Sequence, residues 1–297
     1  MMLRSLILLS CSLLLLTGCD RKTESPQPQA ATPRYVTLAP AMSQILIDMG
    51  QQKNIVGIAQ FDMTAAKDLP VVGNYLDIHT EKLLKLKPTH VLMMAGKNGT
   101  PESLKQLAEQ HHFKLISFAY PDTINDVLQI VTQTSHDIGM KQLGQETVDR
   151  FESQMRDVKK WVQGQKSQRV LALIGTEPIM ASGPNTVIHE MIQFVGSENV
   201  AANAPVSAPT YDHEKLVALN PDVILLLRPN APPLENGLDD PRLESLKNLP
   251  INAVKNKRIY IINDPLTFLP ATTLPRIAKQ FALAIHPQLS DTAADGK

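Results

Sequence analysis

Cysteine is almost absent: only Cys11 and Cys19 occur, both among the first twenty residues. The chain beyond residue 19 therefore has no disulfide, no thiol nucleophile and no thiolate metal site. Excess charge of either sign is also missing, with 29 Lys and Arg against 29 Asp and Glu. No basic stripe is present, which argues against nucleic acid as a partner. A Gly-x-Ser-x-Gly elbow and a phosphate-cradling glycine-rich loop are both lacking, so an enzyme is not expected. The histidines (His79, His90, His111, His112, His136, His189, His213 and His286) are scattered and form no His-rich loop. A carrier of bare zinc or manganese is accordingly disfavoured, and no metal-ligating set is assigned.

Long apolar runs are also scarce. The clearest, Leu6 to Leu16, follows Arg4 and is shorter than the ~20 residues that span a bilayer as a helix. With Leu16-Thr17-Gly18-Cys19 it reads as a signal peptide over residues 1–18 and resembles the bacterial lipobox, which implies lipidation of Cys19. Asp20 after the cysteine resembles the signal that retains lipoproteins in the inner membrane. Residues 19–33 are polar and carry Pro26, Pro28 and Pro33, the composition of a flexible tether. A periplasmic protein, lipid-anchored to the inner (cell) membrane, is expected.

What the chain does have is a repeated unit. Glu81-Lys82-Leu83-Leu84-Lys85-Leu86-Lys87-Pro88 leads into an apolar run ending near Met94. It returns as Glu214-Lys215-Leu216-Val217-Ala218-Leu219-Asn220-Pro221, with an apolar run ending near Leu227. Each copy predicts a short amphipathic helix, a proline stop and a buried strand. Two copies predict two similar lobes with a cleft between them, each lobe presenting one carboxylate at a helix start. The mature chain is long enough for two lobes of ~110–120 residues.

Around the repeat, strands alternate with helices. Strands are expected at 35–38, 55–58, 91–94 and 115–118, and again at 169–174, 223–227 and 258–262. Helices are expected at 40–49, 101–110, 123–138, 186–195 and 275–285. This alternation predicts an α/β fold with parallel sheets covered on both faces. Between the halves, apolar residues at Leu143, Val148, Phe151, Met155, Val158 and Val162 keep helical spacing, which predicts one helix of ~22 residues and ~33 Å. The expected domains are an N-terminal α/β lobe (34–141), a connecting long helix (142–166), a C-terminal α/β lobe (167–287) and a disordered tail (288–297).

The segments 35–40, 55–58, Leu69-Pro70-Val71-Val72-Gly73 and 81–88, in this order, resemble the periplasmic substrate-binding proteins of ABC importers for iron-siderophores, haem and vitamin B12. The resemblance implies two Rossmann-like lobes joined by a single long helix, a ligand cleft between the lobes, and a monomer. It implies that Glu81 and Glu214 dock on the transmembrane permease subunits, although both are also ordinary helix-start residues favoured by the helix dipole.

Ligand residues are expected on loops past the strand ends: Phe61 and Tyr75 on the first lobe, Tyr211, Arg228 and Phe268 on the second. The transported ligand implied is a metal chelate, either cobalamin or a ferric siderophore. The alternative is haem with Tyr75 or Tyr211 as axial ligand. Tyr75 stands where the vitamin B12-binding members carry a tryptophan, and Ala208 stands at the second such place. No cofactor is implied beyond the lipid.

Overall fold

The computed structural model describes residues 32–74, 76–96, 99–232, 234 and 237–289. Residues 1–18, most of the tether, Tyr75, Lys97 and the tail from Ser290 lie outside the described residues.

The first sheet contains β1 (Tyr35–Thr37), β2 (Ile55–Gly57), β3 (His90–Ala95) and β4 (Lys114–Ala119), in the order β2-β1-β3-β4, all parallel. Successive residues point to opposite faces of a strand, and here both faces are buried. Tyr35, Leu92 and Met94 enter one core, while Val36, Val91 and Met93 enter the other. The helices of this half are α1 (Pro40–Asp48), α2 (Thr80–Lys85), α3 (Glu102–His111) and α4 (Ile124–Asp137).

After α5 (Lys141–Trp161) the second sheet repeats the plan with β5 (Arg169–Thr176), β6 (Ile179–Ala181), β7 (Glu198–Asn199), β8 (Val223–Leu227) and β9 (Ile259–Ile262). Its order is β6-β5-β8-β9, with β7 also pairing β5 and only β6 antiparallel. Thus β7-β5-β8-β9 is the counterpart of β2-β1-β3-β4. Its helices are α6 (Val187–Phe194), α7 (His213–Leu219), α8 (Asn252–Lys255) and α9 (Leu274–Ile285). The same alternation divides Val170, Ala172, Val223 and Leu225 from Leu171, Leu173, Ile224 and Leu226.

The long helix spans 21 residues and touches both cores. Val148 packs on the first, while Phe151, Met155 and Val158 are buried in the second. It is not alone in bridging the halves. Helix α4 places Ile130 and Val131 in a first-lobe core and Ile124 and Val127 in a second-lobe core. Periodicity within α4 showed an amphipathic helix but not that its two ends face different cores.

Of the expected tail, only Gln288 and Leu289 are described: Leu289 is 2% exposed in the second-lobe core and Gln288 bonds Gln165.

Candidate functional site between the two sheets

Parallel strands carry their C-terminal ends to one edge, where ligands bind in open α/β sheets. Two cavities at this edge are shared by the two halves. One, of about 290 Å³, is walled by Tyr120, Pro121 and Asp122 just past β4, and by Ile174, Thr267, Phe268 and Leu269 from the second half. Ser182, Asn185, Thr186 and Ser207 supply its polar positions. The other, of about 510 Å³, is walled by Ile58, Phe61, Asp62 and Met63 on the first half and by Pro265, Leu266 and Arg276 on the second. Consecutive residues of the loop after β9 therefore face different cavities.

That loop is held from beneath. Asp264, 8% exposed, accepts from Arg276 Nη2 (2.8 Å), Gln280 Nε2 (2.9 Å) and the backbone N–H of Leu266 (2.9 Å). Its carbonyl accepts from the Thr267 hydroxyl at 2.7 Å. On the opposite wall, Asp62 accepts from the Ser43 hydroxyl and from the N–H and hydroxyl of Thr64. Each wall is thus held by its own hydrogen bonds.

Among the residues expected from sequence, Phe61 and Phe268 reach the cavities, one in each. Phe61 is 83% exposed and Phe268 44% exposed, high for phenylalanines. Tyr75 lies outside the described residues. Tyr211 lines neither cavity: it is half-buried against the second-lobe core, and its N–H donates to the Ile179 carbonyl. Burial pushes its phenol above the ordinary value near 10.0. Arg228, at the end of β8, forms an ion pair with the wholly buried Asp240 and also lines neither cavity.

The residue that sequence reasoning missed is Tyr120. Its hydroxyl donates across the cleft to the Phe268 carbonyl at 3.4 Å, a long bond. Tyr120 is 57% exposed, yet protein atoms on both sides raise its phenol above the ordinary value by desolvation. A side chain that is open to solvent but crowded by protein stands on a cleft wall. The available signal was its place immediately after β4, a strand-end loop like the others.

Glu81 and Glu214 occupy matching places. Each lies in the first turn of its helix, exposed, two residues before a fully buried leucine, Leu83 or Leu216. Among the described residues neither carboxylate has a side-chain partner. Among the described residues no group of three His, Cys, Asp or Glu side chains is arranged to hold a metal ion. No described helix is long and apolar enough to cross a membrane.

Comparison with known proteins agrees with this architecture. A vitamin B12-binding protein of Vibrio vulnificus is 25% identical over 232 residues, 77% of this chain and 81% of its own. One from Pectobacterium carotovorum is 25% identical over 203 residues, 65% of this chain and 70% of its own. A periplasmic haem-binding protein from Roseiflexus sp. RS-1 superposes with a TM-score of 0.70 at 22% identity, covering 87% of this chain and 99% of that one. The periplasmic vitamin B12-binding protein of Vibrio cholerae superposes with a TM-score of 0.68 at 19% identity, over 89% and 98%. At these identities the structural matches establish the two-lobe fold. These relatives are binding proteins, and this chain likewise binds rather than catalyses. With residues 36–266 matched throughout by the family's pattern, the chain belongs to the periplasmic binding protein family.

Proposed function

We propose that this protein is the lipid-anchored substrate-binding component of an ABC importer, capturing a metal chelate and delivering it to an inner-membrane permease. The observation that carries this reading is the cleft shared by the two halves, with an aromatic or apolar residue from each lobe on its walls. Large macrocycles bind to such surfaces, with a few polar groups fixing their orientation. Cobalamin is placed first and a ferric siderophore beside it, since the sequence relatives are vitamin B12-binding proteins. Tyr75, Phe61 and Phe268 are the proposed contacts, joined by Tyr120. Tyr211 and Arg228 then act from behind the walls.

Haem with a tyrosinate ligand is the second reading, favoured by a tyrosine on the cavity wall. Against it, the sequence relatives are vitamin B12-binding proteins. Anchoring is assigned to Cys19, so Cys19→Ala should release the protein from the membrane fraction or leave it unprocessed. Glu81 and Glu214 are proposed to meet basic residues of the permease, one per lobe.

The ligand test is spectroscopic. Purified protein is incubated separately with cyanocobalamin, haemin and a ferric hydroxamate, then desalted. Cobalamin absorbance co-eluting at about one per chain is the expected result, and retention of haem alone would move the assignment to the second reading. Retention of none of the three would overturn the chelate reading.

A further inference from the structure

Three acids gather at the start of α4, and two of them bond backbone N–H groups there. Asp126 Oδ2 accepts from the N–H groups of Asp122 (3.1 Å) and Thr123 (2.9 Å). Thr123 Oγ1 accepts in return from Asp126 N at 3.0 Å, which closes a capping box. Glu190 of α6 accepts from the N–H of Ile124. Asp122 is left over. It is exposed, it lines the cavity of about 290 Å³ beside Tyr120, and its carboxylate has no partner among the described residues.

Among the described residues lining that cavity, Asp122 is the only charged one, and no Lys, Arg or His accompanies it. Two further carboxylates, Asp126 and Glu190, are bonded to the backbone within two residues of it. Asn185 and Ser207 also line the cavity, both exposed and without a side-chain hydrogen bond among the described residues. The other cavity differs in charge, since Lys67 and Arg276 line it together with Asp62. The cleft thus has one side that is acidic and uncompensated, and one that carries cations.

We propose that Asp122 sets the charge selectivity of the cleft: it accepts hydrogen bonds from primary amides on the edge of a corrin-type chelate and excludes chelates that carry carboxylates at that edge. The inference rests on the carrier reading above and adds which side groups the cleft takes. An amide N–H bonds an ionised carboxylate more strongly than it bonds a neutral acceptor. A ligand carboxylate brings no N–H donor and sets like charges together where no cation compensates. Asn185 and Ser207 suit the same amides, because each can both donate and accept. Asp122 is open to solvent, so salt screens the repulsion and the discrimination falls as ionic strength rises.

The test compares ligands that differ by one group. Cyanocobalamin and its monocarboxylic acids, each with one side-chain amide hydrolysed, are titrated separately into the parent protein and into Asp122→Asn and Asp122→Lys at low ionic strength. At least one of the acids should bind the parent about tenfold more weakly than cyanocobalamin does, as loss of one hydrogen bond to a charged group would cost. Asp122→Asn keeps an acceptor oxygen and removes the charge, so most of that deficit should disappear. Asp122→Lys should reverse the preference. Thermal midpoints matching the parent show that both variants are folded. Equal binding of cyanocobalamin and all its acids by the parent, or a deficit unchanged in both variants, overturns the role of Asp122 and leaves the carrier reading standing. Retention of haemin or the ferric hydroxamate without cyanocobalamin has the same consequence. Retention of none of the three overturns the carrier reading, and this inference with it.

Discussion

Phe61 sits at a φ of 63°, where a bulky side chain is strained, with most of its ring in solvent. The bonds of Asp62 to Ser43, Thr64 and Ala65 hold the turn that keeps it there. A ligand that covers the ring would bury its apolar surface, while the turn keeps its backbone where it is. At the other cavity Tyr120 and Phe268 meet across the cleft. Truncating an aromatic anchor at a binding hot spot costs ~2–4 kcal/mol. Tyr120→Ala and Tyr75→Ala should each weaken binding of the co-eluting chelate by about 30-fold or more in equilibrium titration. Tyr120→Phe should change affinity far less, because its hydroxyl makes only the long bond to Phe268; equal losses for Phe and Ala would make the hydroxyl the recognition group. His286 illustrates a different residue-scale effect. It is 1% exposed, bonded to the Val195 carbonyl, and burial lowers its pKa below the ordinary value near 6.5. The unfolded chain takes up that proton more readily than the folded one. Its contribution to stability is therefore complete above pH ~6.5 and is lost as pH falls towards the lowered folded value, at about 1.4 kcal/mol per unit of difference. Denaturant midpoints from pH 7.5 down to 5 should fall for the parent protein and fall less steeply for His286→Gln.

At the scale of elements, α4 and α5 pack tightly where Gly144 meets Ser135. A Cβ on Gly144 would lie 2.1 Å from the Ser135 hydroxyl oxygen, so only glycine lets the long helix cross there. Gly144→Ala should destabilise the protein by about 1–3 kcal/mol in denaturant unfolding, and Ser135→Gly should recover much of that loss. No recovery in the double mutant would place the strain elsewhere. Gly144 was readable in sequence only as a small residue in a helix, since its meaning depends on where α4 crosses. The strands behaved differently. Each expected strand formed to within two residues at either end, because an apolar run bounded by proline or glycine carries its own signal. The short β7, Glu198–Asn199, carries none and exists because it pairs with Arg169 and Val170 of β5. The same division applies at the cleft. That Phe61 and Phe268 lie past strand ends was legible, as chain order alone determines it. That Arg228 is engaged by Asp240, and that Phe61 and Phe268 face separate cavities, follows from how distant segments meet.

At the scale of the whole molecule, the halves are fastened at more than one point. Glu190 of α6 accepts from the N–H of Ile124 at the start of α4, where a carboxylate also favours the helix dipole. On another side, Asp48 at the end of α1 accepts from the Thr272 hydroxyl, and its carbonyl accepts from Arg150 Nη2 of α5 at 2.8 Å. With α4 buried in both cores and α5 buried in one and packed on the other, these bonds oppose wide opening and hold the two acidic corners at a defined separation. A rigid spacing matters for docking, because two charge contacts reinforce one another only when both can form together. Charge pairs at an interface speed encounter and fix orientation, and they weaken with salt. Reversal should be worse than removal, since it sets like charges against each other. Glu81→Lys with Glu214→Lys should therefore abolish uptake of the chelate in cells, while either single reversal leaves partial transport. Both residues are exposed and unpartnered among the described residues, so thermal stability and chelate affinity of the double variant should stay close to those of the parent. Full transport by the double variant would return both glutamates to ordinary helix starts, and lost affinity would move the defect from docking to capture.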